Sequence, residues 1–481
     1  MILLFGCASE TKLFFKYCRH GTHVAGSICG SQLGNPDDAM VTGMAPDAKL
    51  AFYDIGKDDD ESIYMRSYNF VYAGRTKFPP ASIHSASWGS QKDYYGSFSA
   101  YIDQFMMDNE DLLMVFAGGN FGPDPMTITE PSIAKNVLTV GASHSTGDDL
   151  GPNMYDANHT AWFSSQGPTP DGRTKPDVMA PGNWILSAGA QPDNPGACDP
   201  ADKMHPGAGK YKDGIASMQG TSMATPLTAG TAALVRQYFI EGFYPTGVQI
   251  PSNSLIPTGA LVKAVLMNGA QFLHAIDLRN GKEQLIEPYD NVQNFGRVSL
   301  SDSLYLPGFS SGNIEVWDKQ EIEDGDTMTY NVTIDMSKGC NATKLSVTLV
   351  WMERGSPSGC TKCVLNNLDL SVYRDGDSKV HYPNGLDGPD DINNAERVQV
   401  HGIKDGEKYY IDVKATNLEF SKQKYSLVAT GCFGGVENIL ASKVGTFVSD
   451  SPKSSADDSL QSRYFALSLS ALAGGLLFAL F

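Results

Sequence analysis

The chain has 481 residues, enough for two or three domains and a large core. Hydrophobic residues make up 41% of it and the formal net charge is -18, the balance of a globular protein whose field repels nucleic acid and anionic membrane surfaces. Eight cysteines stand at 7, 18, 29, 198, 340, 360, 363 and 432. Cys360 and Cys363 have C-x-x-C spacing, but no second pair or histidine cluster completes a zinc site, so disulfides are expected. N-x-[ST] sequons at Asn158, Asn331 and Asn341 favour a secretory route and a glycoprotein.

Met1 to Gly6 is a short apolar burst with no basic lead and no small-residue cleavage site, so it does not read as a signal peptide. His20 opens a run of small residues suited to a closely packed helix. Leu50–Ile55, Ile83–Ser87, Leu112–Ala117 and Val137–Val140 lack alternation and read as buried strands of a parallel sheet. The intervals between them leave room for helical crossovers, which gives an α/β domain. Ala117-Gly118-Gly119-Asn120 has the form of a chemistry-bearing loop at a strand end. Asn183 to Tyr211, rich in Gly, Pro and Asp, reads as an elaborated surface loop. Ser222 stands at the mouth of a helix running from about Met223 to Ile240, where free backbone N–H groups and the positive dipole end favour either a helix cap or a nucleophile. A second helix, about Gly259–Asn268, follows a Pro-rich link from Pro245 to Pro257.

Near Pro307-Gly308 the pattern changes. Met328–Ile334, Leu345–Trp351, Leu368–Tyr373, Val398–His401 and Tyr409–Val413 are short β-type segments separated by turn signals, an all-β sandwich or jelly roll. The expected division is an unassigned segment 1–17, an α/β domain 18–310, a β-sandwich 311–435, a polar linker 436–463 and a hydrophobic tail 464–481. As a helix the tail would reach about 27 Å with no Lys or Arg after it. Ser454-Ser455-Ala456 offers small residues for a GPI attachment signal; a tail-end span and a chance apolar terminus are the alternatives. Secretion or a cell-surface location, with membrane attachment through the tail, is the expectation.

His20, Asn120 and Ser222 each stand in a small-residue window. A serine hydroxyl needs a base, which imidazole supplies near neutral pH, and the resulting oxyanion needs aimed donors such as a side-chain amide. The order His before Ser excludes an α/β-hydrolase, and the serine window lacks the closing Gly of G-x-S-x-G.

The windows His20-Gly-Thr-His-Val-Ala-Gly26, Ser87-Trp-Gly89, Ala117-Gly-Gly-Asn120 and Gly220-Thr-Ser-Met-Ala-Thr-Pro226 together resemble the subtilisin-like serine proteases, as do Asp177–Gly182 and Phe295–Val298. The following β module, with Asn366–Leu370 and Asp390–Asn394, looks like the branch bearing a C-terminal β-sandwich. The resemblance implies His20 as general base, Ser222 as nucleophile, Asn120 as oxyanion donor, and Ser87, Trp88 and Gly89 as an edge that pairs with a protein or peptide substrate. In that pattern His23 supports its helix, while Trp88 and Trp162 pack. Catalysis needs no cofactor. Calcium is the expected structural ion, with Asp369, Asp387, Asp390, Asp391 and Asn393 as hard oxygen donors.

One member of the pattern is missing. The family places an Asp in a D-[ST]-G turn upstream of the histidine, and residues 1–19 contain no Asp. Asp54 is the nearest substitute, and a solvated or capping carboxylate is its plainer role. The resemblance therefore implies a chain without its start, lacking the first strand of the sheet, expressed poorly and with no measurable peptidase activity. An inactive scaffold that binds peptides is the rival reading. A functional β module with adhesive or carbohydrate-binding properties is a third, disfavoured by the lack of an aromatic row.

Overall fold

Apolar runs with no polar face must be covered on both sides, and here they form one sheet sandwiched by helices. A computed structural model describes residues 2–6, 18–31, 42–54, 75, 80–145, 156–189, 215–279, 281–337 and 339–433. The N-terminal part contains β1 (Ile2–Gly6), α1 (Cys18–Cys29), β2 (Leu50–Asp54), β3 (Ile83–Ala86), α2 (Ser97–Asp108), β4 (Leu113–Ala117) and β5 (Leu138–Ser143). It continues with β6 (His159–Thr160), β7 (Val178–Pro181), β8 (Ile185–Ala188), β9 (Ile215–Met218), α3 (Thr221–Ile240), α4 (Gly259–Asn268), β10 (Ala275–Asp277) and β11 (Glu283–Leu285). Among the described residues the main sheet runs β11-β10-β6-β5-β4-β3-β1-β2, with β7 beside β5. Its central pairs are parallel.

Two expectations are corrected. The first strand is not missing: Ile2–Gly6 lies between β2 and β3, parallel to both, with Ile2 opposite Leu50 and Ile83 and Gly6 opposite Asp54. A five-residue apolar run suffices there because neighbours on both sides pair its backbone. The expected surface loop from Asn183 also begins as structure, since β8 pairs antiparallel with β9. The linker, the tail, Cys7 and Cys198 lie outside the described residues. Among the described residues no helix is long and apolar enough to cross a membrane.

The C-terminal part contains β12 (Asn313–Glu323), β13 (Thr327–Thr333), β14 (Lys344–Trp351), β15 (Asn366–Arg374), β16 (Val380–His381), β17 (Ala395–His401), β18 (Lys408–Leu418) and β19 (Lys422–Gly431). They form two four-stranded antiparallel sheets, β12-β19-β14-β17 and β13-β18-β15-β16. Val347, Leu349 and Trp351 of β14 meet Leu368, Leu370, Ile411 and Val413 in the core between them. Cys340–Cys432 and Cys360–Cys363 are disulfides, and Cys29 is a free thiol.

β14 is buried on both faces because its second face meets α4 of the N-terminal part. Ser346 Oγ donates to Asn268 O at 3.1 Å and Thr348 Oγ1 to Asn268 Oδ1 at 2.9 Å, at the end of α4. Arg397 of β17 is fully buried. Its guanidinium donates to the carbonyls of Met267 (2.7 Å), Ala270 (3.0 Å) and Phe295 (3.0 Å). Lys135 and Glu353 form a buried ion pair at 2.8 Å across the same junction.

Candidate active site

α3 begins immediately after Gly220, whose φ of +148° suits glycine and strains other residues. Ser222 is the second residue of the helix, where backbone N–H groups have no helical acceptor. Pro226, four residues on, has no N–H to give the Ser222 carbonyl. Ser87 Oγ fills that vacancy, donating to Ser222 O at 2.8 Å, and Ser222 Oγ donates to Ser87 O at 3.3 Å. The proline thus opens the helix at the carbonyl that the neighbouring strand end uses.

Asn120 follows β4. Its Oδ1 accepts from Thr221 N at 2.9 Å and from Thr221 Oγ1 at 3.1 Å, while Gly119 N donates to Thr221 Oγ1 at 3.1 Å. With the amide oxygen engaged, Nδ2 is the donor end, on an exposed residue beside the Ser222 turn. Sequence reasoning missed Thr221, whose position next to Ser222 was the available signal.

His20 lies in the first turn of α1, which packs against α3. Burial lowers its pKa and favours the neutral imidazole. Among the described residues Ser222 Oγ meets the Ser87 carbonyl and no hydrogen bond joins it to His20. His23 is different: its Nε2–H donates to Ile185 O at 2.9 Å, Ser187 Oγ donates to its carbonyl at 2.7 Å, and burial brings its pKa down to about 4. It ties α1 to β8. Trp88 packs against Phe98 and Phe116, whereas Trp162 lies under Arg279, 3.2 Å from the ring centroid. Gly89 makes no backbone hydrogen bond among the described residues. Asp54 ends β2; its side chain lies outside the described residues.

The acidic turns of the β module do not gather as a metal cluster: among the described residues no group of three His, Cys, Asp or Glu is placed to hold one. Asp390 accepts from the side-chain amides of Asn384 (2.7 Å) and Asn393 (2.8 Å), and Asp387 and Asp391 are exposed. Two buried oxygens nearby have no partner, Glu396 Oε1 and Asn367 Oδ1. Burial and the charges of Asp390 and Asp369 raise the Glu396 pKa well above its usual value.

The profile of the subtilase family matches residues 16–296, more than half of the chain, and the chain belongs to that family. The serine protease/ABC transporter B family protein tagD of Dictyostelium discoideum is 28% identical over 86% of this chain and 28% of its own length. The chain thus spans little more than a quarter of that relative, and 27% of the related protein tagB. Serine protease AprX of Bacillus subtilis is 32% identical over 45% of this chain and 48% of its own. Among solved structures, the prenylagaramide maturation protease PagA matches 63% of this chain and 91% of its own, at 22% identity and a TM-score of 0.42. Family membership supports serine protease function for this chain.

Proposed function

We propose that the protein is a serine-type endopeptidase in which Ser222 attacks the peptide carbonyl and His20 takes its proton. Asn120 Nδ2 and the Ser222 N–H stabilise the oxyanion, and Ser87-Trp88-Gly89 receives the substrate backbone as an added strand. The observation that carries the reading is the convergence of Ser222, at the open end of α3, with the Asn120 amide and the Ser87 strand end. An inactive peptide-binding scaffold is the second reading, favoured by the lack of any Asp in residues 1–19. A fluorophosphonate probe with peptide mapping separates them. Labelling confined to Ser222 and absent in Ser222→Ala supports the enzyme; a folded chain that stays unlabelled supports the scaffold.

Calcium in the β module belongs to the same proposal. The partnerless oxygens Glu396 Oε1 and Asn367 Oδ1 and the charges of Asp369 and Asp390 on Glu396 support the reading, although among the described residues no three acidic side chains stand together as a ready cluster. A chelator is expected to lower the melting temperature of the intact chain, and an unchanged temperature would remove calcium from the account. The exposed sequon residues Asn331 and Asn341 and the Cys340–Cys432 disulfide support a secretory route.

A further inference from the structure

One buried histidine has no role in the reaction described above. His144, just after β5, is 2% exposed, and its two neighbours Asn183 and Asp277 are 4% and 6% exposed. Its Nδ1 stands 3.1 Å from Asn183 Nδ2, and its Nε2 3.1 Å from Asp277 Oδ2. An amide nitrogen only donates, so Nδ1 carries no proton, and Nε2–H donates to the carboxylate. The carboxylate is itself fixed, since Asp277 Oδ1 accepts from Arg279 N at 2.6 Å. Turning the amide over would bring Asn183 Oδ1, buried and without a partner, to Nδ1, and that contact needs a second proton on the ring. Burial opposes the second proton, as does His159, while Asp277 and Asp156 favour it; the balance keeps the ring neutral.

Asn183 is the residue after Gly182, and this short loop is pinned to the end of β5 at three points. Gly182 N donates to Ser143 O at 2.9 Å, Ser145 Oγ to Asn183 O at 3.0 Å, and the Asn183 amide to His144. No side chain fits at Gly182, where a Cβ would stand 2.7 Å from Ala142 Cβ and 2.8 Å from Gly220 O. The Gly182 carbonyl in turn accepts from Gly220 N at 2.8 Å. Gly220 is the hinge from which α3 and Ser222 start.

We propose that His144 is a positioning residue: held as the Nε2–H tautomer between Asp277 and Asn183, it fixes the Gly182 loop that sets Gly220 and so aims Ser222. The inference rests on Ser222 being the nucleophile. Three variants of the full chain test it. In His144→Gln, Oε1 can accept from Asn183 and Nε2 donate to Asp277. His144→Leu fills the space without either bond. Asn183→Asp, of equal size, puts an acceptor against Nδ1 and draws a second proton onto the ring.

Nitrogen-15 NMR of the imidazole, the Gly220 amide resonance and the fluorophosphonate labelling rate of Ser222 are the readouts. The expected results are a bare Nδ1 in the wild type at pH 7 and an imidazolium in Asn183→Asp. The Gly220 amide should shift in Asn183→Asp and His144→Leu, with labelling slowed about tenfold or more in both. His144→Gln should stay within about threefold of the wild type. Wild-type labelling and an unmoved Gly220 amide in both Asn183→Asp and His144→Leu would overturn the proposal, as would a wild-type ring protonated on Nδ1. If the wild type itself does not label, the peptidase reading fails, and an unmoved Gly220 amide in Asn183→Asp still rejects the positioning role. Should His144→Leu not fold, Asn183→Asp decides alone.

Discussion

Pro226 and Ser87 act on one atom, the Ser222 carbonyl: the proline withholds the helical donor and the serine hydroxyl supplies another. Ser87→Ala would strand that acceptor and is expected to cost roughly 1–3 kcal/mol in urea unfolding. Pro226→Ala restores a helical N–H, so the same Ser87→Ala change should cost less on that background; an unchanged cost in the double-mutant cycle would contradict the pairing. His159 gives a pH dependence. Burial lowers its pKa, but hydrogen bonds and charges from Glu283 and Asp156 outweigh this and leave it raised above 6.5. A raised folded-state pKa stabilises fully below the unfolded value and is lost as pH rises through the folded one. The wild type should therefore lose stability upward from about pH 6.5 relative to His159→Gln, checked by paired melts across pH 5 to 9.

At the scale of elements, the sequence was most legible where a run had one use. Buried parallel strands lack alternation, so β2 to β5 could be read, and Ser222 announced α3 by the break at Gly220. β1 is not legible in Met1 to Gly6 alone, because its strand role depends on two neighbours far along the chain. Leu4 lies mid-strand between them, so Leu4→Pro should cost about 3 kcal/mol or more and sharply reduce soluble yield. A stable, soluble Leu4→Pro chain would take β1 out of the sheet. Arg397 was illegible for another reason. Nothing in its strand context signals the three carbonyls it meets, because they come from α4 and the loops beyond it. Arg397→Leu is expected to destabilise by about 3 kcal/mol or more, because three buried carbonyls lose their donor.

Over the whole molecule the two parts share a core rather than a linker. Ile314, Val350, Ala395 and Val428 of the β strands belong to the same apolar cluster as the peptidase helices. Lys135 and Glu353 close the junction on one side and Arg397 on another. The change of character near Pro307 was visible in the sequence, but continuous burial across it was not, since β14 only lacks alternation once α4 covers its second face. Calorimetry of the intact chain should show one cooperative transition, and two separated transitions would contradict the shared core.

Residues 1–19 hold no Asp to orient the imidazole of the proposed His20–Ser222 pair. Losing the aspartate from such a triad costs on the order of 10⁴-fold in turnover, so acylation is a more sensitive observable than peptide hydrolysis. The direct test is the rate of fluorophosphonate labelling at Ser222 as a function of pH, in the full chain and in His20→Ala. Because burial lowers the His20 pKa, the rate should climb through an acid limb lying below pH 6.5 and then level off, and His20→Ala should abolish the limb. Equal labelling in His20→Ala, or none at Ser222 in a chain with intact circular dichroism, would contradict the proposed pair.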